Sequence, residues 1–285
     1  MEPTEANITH VSDTALMVAA CRAMETANPD GLVDDPFAAL LAGPRGMAIA
    51  QALPRVDIMC FGIGIRSLFL DELVRKTIAG REIATVLSLG SGLDTRPFRL
   101  DVPPHLRWIE VDFPEMLRYK TGALAGERPK CQVERIPADL NDPAQRRAVF
   151  ASTGSAPALM ITEGLLMYLP AQTVESLAAE AYREGGIRHW LLDVTSLAFA
   201  RRARLETFQS VENVRAPDHL EGAQILDAIE RNGWTATERR TYAADAWAAA
   251  QKRILAMMAS RPASDPPPPP PDPSDPSGVH LFGKA

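Results

Sequence analysis

A chain of 285 residues with 46% hydrophobic and 23% charged side chains has enough apolar material for a sizeable core. Its formal net charge of −6, with no basic stripe interleaved with aromatics, argues against a nucleic-acid partner. Cys21, Cys60 and Cys131 are scattered and odd in number, no apolar run approaches roughly 18 residues, and the five histidines show no ligand spacing. A soluble, cytoplasmic protein with no disulfide frame, no membrane partner and no metal is expected.

Residues 1–80 read as helical. Leu16, Ala19, Ala20 and Ala23 recur at helical spacing, and Asn28-Pro29-Asp30-Gly31 stops that helix. Asp35-Pro36 predicts an N-cap followed by proline in the first helical position. A longer segment, 56–79, carries Ile58, Ile65, Leu68 and Leu73 near one face, with Arg66 among them. From Glu82 the pattern changes. Strand-like runs at 83–89, 107–112, 132–137, 158–162 and 188–195 alternate with helix-like segments at 115–126, 143–151 and 171–184. Asp142-Pro143 and Pro170 fit helix starts. Such alternation predicts a parallel sheet covered on both faces, with right-handed crossovers. Residues 217–232 then look helical, 234–242 strand-like and the alanine-rich stretch to Met258 helical. The segment 261–277 holds nine of the 24 prolines, six of them consecutive, and predicts an exposed loop. A short last strand begins at Gly278.

The chemistry concentrates in residues 86–96, Val-Leu-Ser-Leu-Gly-Ser-Gly-Leu-Asp-Thr-Arg. A buried-strand pattern ends in Gly90 and Gly92, and the acidic strand end Glu110-Val-Asp112 follows about twenty residues later, the layout of a nucleotide site. A dinucleotide fingerprint would place a third glycine where Thr95 stands, and Asp94 would repel a pyrophosphate. A ligand with one ribose and a cationic centre suits the loop better than NAD.

Four ordered blocks carry a resemblance: Leu89-Gly-Ser-Gly-Leu-Asp-Thr-Arg96, Glu110-Val-Asp-Phe-Pro114, Ala138-Asp-Leu-Asn-Asp142 and Thr162-Glu-Gly-Leu-Leu-Met-Tyr-Leu169. Together they resemble the leucine carboxyl methyltransferase family, which includes polyketide O-methyltransferases of the tetracenomycin type. The likeness runs from about Thr14 to Tyr242. It implies an α/β, Rossmann-like class I methyltransferase sheet, mostly parallel with an antiparallel last strand. It also implies a helical cap over residues 1–80 and a methyltransferase domain over 81–285, with the Pro-rich loop at 261–277. The implied cofactor is S-adenosyl-L-methionine. By the resemblance, Gly90 and Gly92 lie against its methionine part, Asp112 holds the ribose hydroxyls, and Asp139 and Leu140 read the adenine edge. Glu163 falls near the methionine amino group and Arg66 pairs with the methionine carboxylate. Ser88 stands where many class I methyltransferases carry an acid.

Plainer readings stand beside several of these residues. Arg66 could serve as an ion-pair partner on a helix, Asp112 as a helix N-cap, and Tyr168 as core rather than substrate contact. Asp139 has Asn141 and Asp142 as rivals, and the tryptophans at 108, 190 and 234 read as core. The expected activity is methyl transfer to a carboxylate of a small natural product or peptide, with no catalytic base named. The alternatives are a phenolic O-methyltransferase of polyketide type, an NAD(P)-dependent oxidoreductase, and a non-catalytic cofactor-binding protein.

Overall fold

The computed structural model describes residues 8, 10–202, 214–259, 272 and 274–284. Three helices open the chain: α1 (Val11–Ala27), α2 (Ala38–Gln51) and α3 (Val56–Gly80). The seven strands are β1 (Thr85–Leu89), β2 (Arg107–Asp112), β3 (Gln132–Pro137), β4 (Ala158–Thr162), β5 (Ile187–Val194), β6 (Trp234–Thr241) and β7 (Gly278–Lys284). They form one sheet in the order β3-β2-β1-β4-β5-β7-β6. β7 runs antiparallel to both neighbours, while β1 to β5 pair in parallel. β1 and β4 are buried along their whole length, as strands covered on both faces must be.

Register positions the functional edge. Leu89 lies opposite Val111 on β2 and Thr162 on β4, Asp112 lies opposite Pro137, and Thr162 lies opposite Leu192. The residues that follow these strand ends therefore emerge side by side. Strand order reverses direction at β1, between β2 and β4, so this edge is the topological switch point where open α/β sheets hold ligands.

One sheet face packs on α6 (Pro143–Ala151), α7 (Ala171–Arg183) and α9 (Gly222–Arg231), around Leu87, Ile109, Met160, Trp190, Phe150 and Leu177. The other face packs on α3 and α10 (Ala244–Ala259), through Phe69, Leu70, Leu73 and Val74 against Val86, Trp108, Leu159 and Leu191. The short helices α4 (Arg96–Arg99), α5 (Pro114–Ala123) and α8 (Leu197–Arg202) lie between these elements in sequence. A third cluster joins α1 and α2 to Leu93 and Phe98 beside the glycine turn, and to Met116 on α5. Helix α3 thus belongs at once to the sheet core and to the helical cover.

Several local expectations shift. α2 starts at Ala38 with Phe37 as its N-cap, not at Asp35-Pro36. Asp35 does two jobs: its Oδ1 accepts the Phe37 N–H at 3.2 Å, the capping bond expected, while its Oδ2 turns inward to accept Arg22 Nε at 2.8 Å and Thr95 Oγ1 at 2.7 Å. Gly43, at φ +56° ahead of Pro44, kinks α2. The helix expected at 217–232 begins at Gly222, behind a capping box of Glu221 and Gln224. Asp142 caps α6 as expected, accepting from the Ala144 and Gln145 N–H groups. Trp108, Trp190 and Trp234 are fully buried. Of the Pro-rich segment, the run of six prolines at 266–271 lies outside the described residues.

Candidate active site

β1 ends in a turn that only residues tolerant of positive φ can make. Gly90 sits at φ +60° and Gly92 at φ +45°. A Cβ on Gly90 would stand 2.7 Å from Leu165 Cδ1, so the turn also depends on close approach to the loop after β4. Asp112, at the tip of the neighbouring strand, accepts the Gly92 N–H and the Phe113 N–H, both at 2.7 Å. Burial raises the pKa of this carboxyl above its ordinary value, against the pull of those two N–H groups. Next along the edge, Asp139 accepts the Asn141 N–H at 2.9 Å, and its own N–H donates to Gln145 Oε1 at 2.9 Å.

On the other side of β1, Glu163 stands between two guanidinium groups. Arg96 NH1 donates to its Oε2 at 2.6 Å, and Arg66 Nε lies 3.0 Å from its Oε1. Burial alone would raise this carboxyl, but Arg96 and Arg66 hold it well below the usual carboxylate range. Arg66 comes from the middle of α3 and also lies 3.5 Å from Asp193 Oδ2 at the end of β5. Its Nε is buried and makes no aligned hydrogen bond, although Glu163 is near. Gly164, at φ +59°, lets the guanidinium rest against the backbone: a Cβ there would be 3.3 Å from Arg66 NH1. The Gly164 N–H donates to Asp193 Oδ1 at 2.6 Å, and burial raises the Asp193 carboxyl.

A buried network fixes this arrangement. Arg96 Nε donates to Asp71 Oδ1 at 2.7 Å and Arg99 NH2 donates to the same oxygen at 2.8 Å, joining α4 to α3. Arg22 NH2 donates to the Leu93 carbonyl at 2.7 Å, which binds α1 to the glycine turn. The helical cover and the sheet edge are therefore held to each other by charge-assisted bonds in a protected setting, where they are strong.

These groups open onto one cavity of about 960 Å³. Arg66, Gly90, Gly92, Asp112, Asp139, Leu140, Glu163 and Tyr168 all line it, so the structure brings every sequence-nominated residue to one space. Tyr168, on a 3-10 turn (Leu166–Tyr168), is partly buried and hydrogen-bonded to Thr14, and burial raises its phenol. Sequence reasoning missed Asp193, Asp94 and Tyr242, which also line the cavity. The carboxylate at the end of a buried strand was the available signal for Asp193. In the sequence Asp94 speaks only against a pyrophosphate; in the structure it lies 3.1 Å from Arg96 NH1. Among the described residues, no group of three or more His, Cys, Asp or Glu side chains is placed to hold a metal ion. No helix of the described residues is long and apolar enough to cross a membrane.

The sheet order, the antiparallel seventh strand and the edge cavity define a class I methyltransferase fold. A solved structure of a methyltransferase-like protein from Thermobifida fusca shares this fold at TM-score 0.54, 21% identity, 87% coverage of this chain and 92% of that one. Residues 15–181 match the model of the leucine carboxyl methyltransferase family, and the chain belongs to that family. Among relatives provisionally named S-adenosyl-L-methionine-dependent methyltransferases, one from Mycolicibacterium smegmatis is 38% identical over 187 residues. That match covers 59% of this chain and 61% of the relative's length. Another, from Mycobacteroides abscessus, is 36% identical over 268 residues, covering 80% of this chain and 85% of the relative. The cofactor of this class is S-adenosyl-L-methionine. Asp193 and Tyr242 lie beyond the segment that the family model matches.

Proposed function

We propose that this protein methylates a carboxylate oxygen of a small natural product or peptide, with S-adenosyl-L-methionine as donor. The observation that carries the reading is the single cavity in which the glycine turn, the acidic strand ends and an apolar wall meet. Its volume of about 960 Å³ is at the upper end for ligand sites, room for a cofactor and an acceptor together.

The residues present suit that cofactor. Arg66 offers a planar fork to the methionine carboxylate, and its unaligned Nε is a donor in want of an acceptor. Glu163, kept ionised by its two arginines, suits the ammonium. Asp112 has lone pairs left for the ribose hydroxyls beyond the two backbone bonds it accepts. Asp139 and Leu140 line the same cavity and would read the adenine edge, with Gly90 and Gly92 as the floor under the methionine part. When bound, the cofactor supplies a methyl group already activated by a sulfonium, so an ionised carboxylate acceptor needs no proton removed. What the chain must supply is alignment and exclusion of water, worth effective molarities of roughly 10⁵ M or more. Helices α1 and α3, the cap over residues 11–80, enclose the acceptor end and keep water out. Tyr168, at the seam between the loop after β4 and α1, contacts the acceptor.

Methyl-labelled cofactor incubated with candidate acids, then treated with mild base, tests the reading. A carboxyl ester releases labelled methanol. Label retained through base treatment would mean an aryl ether and transfer to a phenol.

A further inference from the structure

Tyr242 follows β6 directly, and its N–H donates to the Ser277 carbonyl at 3.1 Å, so its backbone is fixed by the sheet edge. Its ring tilts against Phe199 of α8, with centroids 5.7 Å apart. The residue lines the cavity, yet its hydroxyl is buried with no hydrogen-bond partner among the described residues. A buried hydroxyl left unmade is uncommon and costly, and a ligand that offers an acceptor removes the cost. Burial, with Asp193 facing it, pushes the phenol well above its ordinary value, so it is a donor and not a phenolate at neutral pH. Apolar side chains line the same cavity: Ile58 and Phe61 from α3, Phe199 from α8, and Ile254, Met257 and Met258 from α10. Of these, Phe61 and Ile254 pack on the same core cluster as Tyr242, and Phe199 touches its ring. Methionine-rich walls adapt to apolar shapes without fixing one of them.

We propose that this half of the cavity is the acceptor subsite, that it takes a carboxylic acid with an apolar body, and that Tyr242 Oη donates a hydrogen bond to one carboxylate oxygen. The other oxygen is left free to receive the methyl group. This rests on the carboxylate reading above and deepens it. Arg55 and Arg201 in the cavity wall set positive charge against Asp193, the carboxyl that faces Tyr242. An apolar chain gains from each methylene it buries against the six side chains named.

The test uses the full chain saturated with S-adenosylhomocysteine and titrated calorimetrically with straight-chain acids from butanoate to decanoate, with octanamide as the uncharged isostere. Affinity should rise about three- to fourfold per added methylene until the wall is covered. Octanamide should bind more weakly than octanoate. Tyr242→Phe keeps the ring against Phe199 and should weaken every acid about tenfold, about 1.4 kcal/mol, while the affinity for S-adenosylhomocysteine stays as in the wild type. In turnover the same variant should raise the acceptor KM far more than it lowers kcat. Affinities that do not respond to chain length, or a Tyr242→Phe that binds acids like the wild type, would overturn the subsite. So would a loss confined to S-adenosylhomocysteine, which would place the hydroxyl on the cofactor. Wild-type protein that binds the acids but forms no labelled methyl ester would overturn the carboxylate reading and leave Tyr242 in an acid-binding site that is not an acceptor subsite.

Discussion

Removing the Asp112 carboxylate separates its structural role from its proposed binding role. Asp112→Ala deletes the acceptor for two backbone N–H groups, those of Gly92 and Phe113, each held at 2.7 Å. A fully buried donor left unpaired costs about 1–3 kcal/mol, but Phe113 is 36% exposed and Gly92 is only partly buried, so water replaces much of what is lost. The expected stability loss is therefore about 1–2 kcal/mol, and the variant folds. Binding should suffer more. A hydrogen bond to an ionised acceptor contributes about 1.5–3 kcal/mol, and 1.4 kcal/mol is about a factor of ten in affinity. Losing even one ribose contact should raise the Kd for S-adenosylhomocysteine at least tenfold, read by calorimetry beside a thermal melt. Glu175→Ala is the control: it removes a surface ion pair with Arg231 and should leave the Kd unchanged. A folded Asp112→Ala protein with wild-type affinity would refute the ribose assignment.

Two further outcomes follow from the geometry. Gly90→Ala combines positive-φ strain of about 1–2 kcal/mol with a 2.7 Å approach to Leu165 Cδ1, so its cost should partly cancel that of Leu165→Ala. Chemical denaturation of both single variants and the double variant reads the coupling; strict additivity would show that the turn and the loop after β4 are not in contact. His280 is buried, which lowers its pKa to about 4, and its Nε2 donates to the Pro276 carbonyl at 2.8 Å. The folded value lies below the unfolded one, so the unfolded chain binds the extra proton, and stability is complete above about pH 6.5 and falls as pH drops toward 4. The slope from this one group approaches about 1.4 kcal/mol per pH unit. His280→Gln should flatten the curve measured by urea denaturation at pH 7, 6 and 5; an unchanged slope would place the titration elsewhere.

Much of the fold was legible because its signals are local. Five strands announce themselves as short runs between helix starts such as Asp142-Pro143, apolar and wholly buried in β1 and β4 but half exposed in β3, and the structure places each within a residue or two of the expected range. The Gly90–Gly92 turn was legible because its backbone angles exclude other residues. Asp35 and Asp142 both accept the N–H two residues on, but the second role of Asp35 was not legible. Both precede proline, but only Asp35 has a buried arginine and a threonine from distant segments competing for its oxygens.

Sequence alone determined the alternation that makes a parallel sheet, the glycine turn after β1, and the membership of Asp112, Asp139 and Glu163 in strand-end positions. Tertiary structure decided what those positions face. Arg66 and Glu163 are ninety-seven residues apart in the chain yet 3.0 Å apart in space, because α3 lies over the carboxyl edge where β4 ends. Arg96, read as a motif residue, turned out to be the second arm holding Glu163 ionised. Asp193 and Tyr242 entered the cavity through the register of β5 and the return of β6 along β7. Backbone pattern repeats every few residues and can be read in order. Charge pairing, burial and the shape of a cavity depend on groups that only the closed sheet and its covering helices bring within a few ångströms of one another.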